Sequence, residues 1–96
     1  MTTLDLLKEK RADILMIAES YGAHNVRVFG SVLRGEDTES SDIDFLVTIE
    51  PGRSLLDQAG LLVDLRELLG RQVDVVSEDG IYWLLRRKIM KEAREL

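Results

Sequence analysis

The chain has 96 residues and no cysteine, with 45% hydrophobic residues, 32% charged residues and a net charge of −5. This length predicts one domain over residues 1–96, and the lack of cysteine excludes disulfides and thiolate metal sites and suits a reducing cytoplasm. The acidic balance argues against nucleic acid as a main partner. No apolar run approaches the ~20 residues of a membrane span.

The first third of the chain predicts a helix, a strand and a short helical turn. Apolar spacing indicates an amphipathic helix from Thr3 to Tyr21, with Thr3 as N-cap and Gly22 as a left-handed stop. The alternating stretch "NVRVFG" predicts a strand. Ser31 is expected to cap the turn "VLRG", and His24 is interpreted as a surface residue in the loop before the strand.

The middle of the chain predicts a strand and a longer helix. The stretch "SDIDFLVTIE" reads as a strand that ends at the Pro51-Gly52 turn. Ser54 then opens a helix, with Asp57 in the capping-box position. The apolar residues assigned to the buried face of this helix are Leu55, Leu56, Ala59, Leu62, Leu65 and Leu69.

The last third predicts a third strand, "QVDVVS", and a final helix over residues 81–96. The apolar residues on one side of that helix are Ile81, Leu84, Leu85 and Ile89. The order α-β-α-β-α-β-α predicts an α/β (α+β) domain, with helices packed on a small mixed sheet.

Paired carboxylates stand at the start of the second strand. Asp42 and Asp44 are two residues apart, so they share one face at a separation of about 6–7 Å. Their repulsion, roughly 2–3 kcal/mol at an effective dielectric near 20, favours a cation between them. Asp74, within "VDVV", could join them from a neighbouring strand and complete a two-metal site. The alternative is an ordinary solvated Asp-x-Asp pair.

A glycine-serine turn precedes the carboxylates. Gly30 follows a strand and lets the backbone approach a ligand closely, and Ser31 opens a helical turn whose free N–H groups could hold a phosphate. Arg34 lies one turn further on and could reach the same anion. The alternative is a routine helix cap followed by a solvated arginine.

Together, these residues in "GSVLRGEDTESSDIDFLV" resemble the signature of the DNA polymerase beta-like nucleotidyltransferase superfamily, in its minimal (MNT) form. The matching residues are Gly30, Ser31, Arg34, Gly35, Ser41, Asp42, Ile43, Asp44 and Val47, and Asp74 falls at the place of the third family carboxylate. The resemblance covers nearly the whole chain and implies the nucleotidyltransferase fold. Val32 and Leu33 depart from the Arg and Ala common in relatives.

The resemblance also implies roles for these residues. Asp42 and Asp44 would bind two Mg²⁺ ions, and Asp74 would complete the metal site and help to activate the acceptor hydroxyl. The nucleotide-binding residues would be Gly30, Ser31, Arg34 and Ser41. The implied reaction is Mg²⁺-dependent transfer of AMP from ATP to a hydroxyl group.

Stand-alone MNT proteins resemble antitoxins of HEPN/MNT modules, which implies that the acceptor is a tyrosine of a HEPN-family toxin. The resemblance also implies a cytoplasmic protein, and both homo-oligomers and hetero-oligomers are possible. Two alternatives are a catalytically silent antitoxin or assembly subunit, and a metal-binding structural domain without nucleotide. Tyr82 and Trp83 are interpreted as core or partner-surface residues. The final helix carries a basic face that could meet an acidic partner or substrate phosphate, at Arg86, Arg87, Lys88, Lys91 and Arg94.

Overall fold

The computed structural model describes all 96 residues, and its helices and strands alternate along the chain. The first half comprises α1 (Thr3–Glu9), α2 (Arg11–Ser20), β1 (Ala23–Phe29), α3 (Ser31–Arg34) and β2 (Ile43–Ile49). The second half comprises α4 (Leu55–Leu69), β3 (Val73–Ser77), a 3₁₀ turn (Glu78–Gly80), α5 (Trp83–Glu92) and β4 (Arg94–Glu95). The predicted mixed α/β architecture is confirmed. No helix is long and apolar enough to cross a bilayer.

The first helix is two helices, and its predicted cap is shifted by one residue. Lys10 ends α1 and begins α2. Thr2, not Thr3, is the N-cap, because the reciprocal capping box closes between Thr2 and Asp5. The predicted left-handed stop after the second helix is present at Gly22, with φ of 75°.

The sheet has the order β3-β2-β1-β4, with β2 and β3 parallel and the other pairs antiparallel. The fourth strand corrects the sequence prediction, which placed a helix to the end of the chain. Ala93 is buried in an extended conformation, and the chain then pairs Arg94 with Val28 and Glu95 with Arg27. These ladder bonds are non-local, so helical periodicity could not reveal them.

β1 begins earlier than predicted, and this places His24 in the strand and not in a loop. His24 pairs with Thr48 in the ladder, and its exposed ring lies 2.8 Å from the Glu50 carboxylate. The interpretation of His24 as a surface residue agrees with this position.

One face of the sheet carries the apolar core. Ile43, Phe45 and Val47 alternate along β2 toward the helices and are at most 1% exposed. The helices pack on this face through Leu7, Ile14, Ala18, Leu61, Leu65 and Leu69.

α5 lies over the opposite face, where Leu46 is fully buried, and it makes several polar contacts there. None of its side chains is fully buried. Arg27 of β1, 8% exposed, lies beneath it, with Nη1 3.9 Å from Met90 Sδ and Nη2 2.6 Å from Glu78 Oε1. The large apolar side chains left exposed at the start of the helix are Tyr82, Trp83, Leu84 and Leu85. The partner-surface interpretation of Tyr82 and Trp83 agrees with this exposure, and the core interpretation is wrong.

The buried face of α4 differs from the one predicted. Leu61, Leu65 and Leu69 recur every four residues and are buried, whereas Leu55 and Leu56 are each 83% exposed. Ala59 is also exposed and Leu62 is half-buried against the core, whereas the predicted burial of Leu65 and Leu69 is confirmed. The capping box at the start of the helix, Ser54 with Asp57, is confirmed.

This difference predicts opposite outcomes for two leucine truncations. Leu65→Ala should lower the free energy of unfolding by about 3 kcal/mol, because it opens a cavity in the core. Leu56→Ala should change it by less than about 0.5 kcal/mol, because its side chain faces solvent. Urea denaturation of both variants measures the difference, and equal losses would contradict this packing of α4.

Candidate active site

The structure brings the carboxylates of two strands to one place. Asp44 and Asp74 are direct partners in the parallel β2–β3 ladder, so their side chains leave the same face of the sheet. Asp42 lies just before β2 and is exposed, as is Asp74, while Asp44 is half-buried. The sheet register thus places the isolated Asp74 next to Asp44, while Asp42 lies outside the ladder and acts on Asp44 through its charge.

The Asp44 carboxyl carries the largest electrostatic perturbation in the site. Burial first, and then the negative charges of Asp74 and Asp42, raise the pKa of Asp44 to about 6. The positive charge of Arg34 lowers the pKa of Asp44, whereas the negative charge of Glu92 raises it further. At neutral pH the group is ionised at an energetic cost, which a bound cation would relieve.

Gly30 is packed directly against this carboxyl. It has φ of 81°, and a Cβ atom at this position would lie 2.3 Å from Asp44 Oδ2. Glycine is therefore required both by the backbone conformation and by the space that Asp44 occupies. This contact places the predicted phosphate turn beside the carboxylates.

Two details of the predicted turn differ from expectation. Gly30, not Ser31, is the N-cap of α3, and Ser31 is its first helical residue. Arg34 is exposed but not free, since Nη1 donates to Glu92 Oε1 at 2.5 Å and Nε donates to Glu36 Oε1 at 3.2 Å. Neither acidic partner was singled out from the sequence. Glu92 is 58 residues away in the chain, whereas Glu36 is only two residues away.

Ser41 organises the loop before the carboxylates. Its hydroxyl accepts a hydrogen bond from the Thr38 N–H at 2.9 Å. Arg71 donates to the Thr38 and Ser41 carbonyls and to the Thr3 hydroxyl, and it forms an ion pair with Asp37 at 3.5 Å. Arg71 was not singled out from the sequence, and only its contacts reveal that it holds this loop.

The donor set fits a hard cation by its chemistry. The three carboxylates supply oxygen ligands, and the perturbed Asp44 favours a neighbouring positive charge. No group of three or more acidic, histidine or cysteine side chains is drawn together closely enough to hold a metal ion as it stands. The magnesium assignment therefore stays a prediction.

Comparison with known proteins gives the family. The family model described as "Nucleotidyltransferase domain" matches residues 9–96. The chain belongs to the nucleotidyltransferase family. As a member of this family it is a transferase, which confirms both the resemblance in its signature and the expectation of an enzyme.

Relatives of this nucleotidyltransferase are similar over most of their length. A Methanocaldococcus jannaschii protein named as a candidate protein adenylyltransferase, MJ0435, is 40% identical over 87 residues, which cover 91% of this chain and 94% of the relative. The protein adenylyltransferase MntA of Thermococcus cleftensis is 37% identical over 79% of this chain and 77% of its own length.

Solved structures share the same fold. A candidate minimal nucleotidyltransferase superimposes with a TM-score of 0.88 at 47% identity, covering 100% of this chain and 97% of that one. A toxin–antitoxin structure with AMP-PNP has a TM-score of 0.75 at 20% identity, covering 88% of this chain and 69% of that one. The second likeness concerns the fold alone. Together they confirm the nucleotidyltransferase fold.

The raised pKa of Asp44 predicts a pH-dependent stability change. Folded Asp44 holds its proton more tightly than unfolded Asp44, so its contribution to stability falls as pH rises from about 4 to about 6 and stays low above that. The shift from 3.8 to about 6 sets a ceiling of about 3 kcal/mol. Solvent screening at a half-buried group reduces this to about 1–2 kcal/mol.

In a buffer with chelator, Asp44→Asn should therefore raise the free energy of unfolding by about 1–2 kcal/mol at pH 8. The gain should almost disappear near pH 3, where wild-type Asp44 is largely protonated in both states. Urea denaturation at the two pH values measures it. Asp79→Asn, at an exposed acid outside the site, is the matched control and should show no such gain. A destabilised Asp44→Asn at pH 8 would make the carboxylate a structural group.

A second pair of variants tests the contact between Gly30 and Asp44. Gly30→Ala and Gly70→Ala both place alanine at positive φ, 81° and 63°, but only the first meets another side chain. Gly70→Ala should lose about 1–2 kcal/mol from its left-handed backbone conformation. Gly30→Ala should lose more from the backbone alone, because its ψ of −159° lies in a region almost restricted to glycine, and it should also displace the Asp44 carboxylate. Urea denaturation measures the losses, and a crystal structure of Gly30→Ala with the Asp44 carboxylate in its original place would contradict the contact.

Proposed function

We propose that this nucleotidyltransferase transfers AMP from ATP to a tyrosine hydroxyl of a HEPN-family toxin and thereby acts as its antitoxin. The observation that carries the proposal is the pairing of Asp44 with Asp74 beside a turn that has no Cβ atom at Gly30. A carboxylate cluster next to open backbone N–H groups suits a phosphoryl centre, where negative charge must be both bound and neutralised.

The names of the similar proteins support the proposal that the acceptor of AMP is a protein. Two of the relatives carry protein adenylyltransferase in their names. Among the structures with the same fold is an MNT antitoxin in complex with a tri-AMPylated HEPN toxin of Shewanella oneidensis, with a TM-score of 0.69 at 17% identity over 92% of this chain and 69% of that one. For this chain the acceptor remains our proposal.

In the proposed reaction, the acceptor oxygen attacks the α-phosphorus of ATP, a new O–P bond forms, and the bond to the departing pyrophosphate breaks. Asp74, which faces solvent, accepts the hydroxyl proton. Gly30 and Ser31 hold the triphosphate through backbone N–H groups, with Arg34 and Ser41 nearby. Asp42, Asp44 and Asp74 would hold Mg²⁺, which would supply positive charge to offset the negative charge that builds up in the reaction.

A second candidate is an antitoxin that neutralises its partner by binding alone. It is favoured by the exposed apolar side chains at the start of α5, where Trp83 is 74% and Leu84 is 59% exposed. Exposed apolar surface of this kind is typical of protein–protein contact. The same surface would serve the enzymatic antitoxin, so the carboxylates decide between the two candidates.

Radiolabel transfer distinguishes them. With Mg²⁺ and a HEPN toxin, ATP labelled at the α-phosphate should label the toxin, and ATP labelled at the γ-phosphate should not, because pyrophosphate leaves. Asp42→Asn or Asp44→Asn should reduce labelling at least about 100-fold, since each removes a carboxylate from the reacting centre.

Asp79→Asn is the matched control and should label the toxin at the wild-type rate. A Tyr→Phe substitution at the toxin acceptor should abolish the label. Neutralisation of the toxin without any label from ATP would refute transfer and establish the binding-only antitoxin.

A further inference from the structure

A shallow cleft that carries three cationic side chains lies between α3 and α5. It measures ≈ 390 Å³ and is lined by Arg34, Lys88, Lys91 and Glu92. Lys88, Lys91 and Glu92 follow one another at the i, i+3 and i+4 positions of α5, so they lie on one face of the helix. Three positive groups thus surround one carboxylate in an otherwise acidic protein.

Arg34 connects the cleft with the candidate active site, although none of the three site aspartates lines the cleft itself. Arg34 lies at the end of the four-residue helix that Gly30 caps, and the glycine is in contact with Asp44. The charges of Arg34 and Glu92 both act on the Asp44 carboxyl. A chain of phosphates that begins at the carboxylates can therefore extend along α3 into the cleft.

The two lysines differ from most other basic groups of this region. Arg86 donates to the Glu78 carbonyl, Arg94 donates to carbonyl groups at the end of α5, and Arg27 pairs with Glu78. Lys88 and Lys91 form no ion pair, yet both line the cleft. Ammonium groups without an internal partner are free to bind an anion.

We propose that Lys88 and Lys91 bind the β- and γ-phosphates of the nucleotide, and that Glu92 holds Arg34 until phosphate replaces it. The inference rests on the proposed function and assigns a polyphosphate subsite to α5. Phosphate groups carry more charge than a carboxylate and offer several acceptor oxygens, so they compete for the Arg34 guanidinium. Glu92 lowers the affinity for polyphosphate, because it occupies one cation and adds a negative charge to the cleft.

If this subsite exists, substitutions of neighbouring residues in α5 should change the affinity for ATP in opposite directions. Lys88→Ala and Lys91→Ala should each weaken ATP binding about three- to fivefold, as expected for one exposed ion pair. Neither should change the binding of AMP, which lacks the outer phosphates. Glu92→Gln should tighten ATP binding about two- to fivefold, because it releases Arg34 and removes a negative charge.

Arg87→Ala is the matched control. Arg87 is an exposed cation in the same helix but does not line the cleft. Isothermal titration calorimetry of ATP, AMP and inorganic tripolyphosphate gives the dissociation constants for the wild type, the four single variants and the Lys88→Ala/Lys91→Ala double variant. Thermal unfolding verifies that each variant is folded. Tripolyphosphate should follow ATP in its dependence on both lysines, and Arg87→Ala should leave all three ligands unchanged.

Three results would overturn the subsite. An equal loss of ATP affinity in Arg87→Ala would show that only the general charge of the helix matters. ATP affinity unchanged in the Lys88→Ala/Lys91→Ala double variant would refute the subsite and leave AMP transfer intact. Weaker ATP binding in Glu92→Gln would make Glu92 a support of the site. Failure of the wild-type protein to bind ATP at all would instead reject the proposed function, and the subsite with it.

Discussion

Mutual repulsion between neighbouring carboxylates is the constraint on which the site depends. The parallel ladder pairs Asp44 with Asp74, and the backbone holds the two strands in this register whatever the charges prefer. Apolar residues on the other face of the same strands, such as Ile43, Phe45 and Val73, are buried in the core. Each such side chain contributes about 1.5–3 kcal/mol, which offsets the cost of bringing the acids together.

The two faces of the sheet therefore differ in polarity and in the interactions that cover them. The helical face is apolar and makes the domain stable. The other face carries the acids and the buried Arg27, and α5 covers it through ion pairs and hydrogen bonds such as Arg34–Glu92 and Arg86–Glu78. Exposed polar contacts contribute less to the free energy of folding than a buried apolar face does. We therefore expect that displacing α5 costs less free energy than displacing any other helix. A nucleotide and a partner protein would both meet the molecule at this helix.

Arginines link elements that are distant in the chain and close to the site. Arg71 joins the start of α1 to the loop before β2, while Arg27 joins β1 to the turn after β3. The planar guanidinium suits this use, because it presents several donors in fixed directions to carbonyl and carboxylate oxygens. The loop that precedes Asp42 is therefore positioned by side chains outside the family signature.

Features that depend on neighbours within a few residues could be predicted from the amino-acid sequence. These include the strand around Phe45, the capping box of α4, the left-handed glycines, and the Gly30–Ser31 turn followed by Asp42 and Asp44. Their causes are local: strand alternation, side-chain capping and the absence of a Cβ atom. The match of this motif to the nucleotidyltransferase family also came from the sequence alone.

Contacts between residues that are distant in the chain are known only from the three-dimensional structure. Asp74 pairs with Asp44 in the sheet, and Arg34 forms an ion pair with Glu92. The end of the chain forms β4, and Leu56 and Trp83 are exposed. Helical and strand periodicity describe which side of an element is apolar, but not what lies opposite that side. Register, burial and ion pairing between remote segments arise from the packing of the whole chain, and therefore no local pattern contains them.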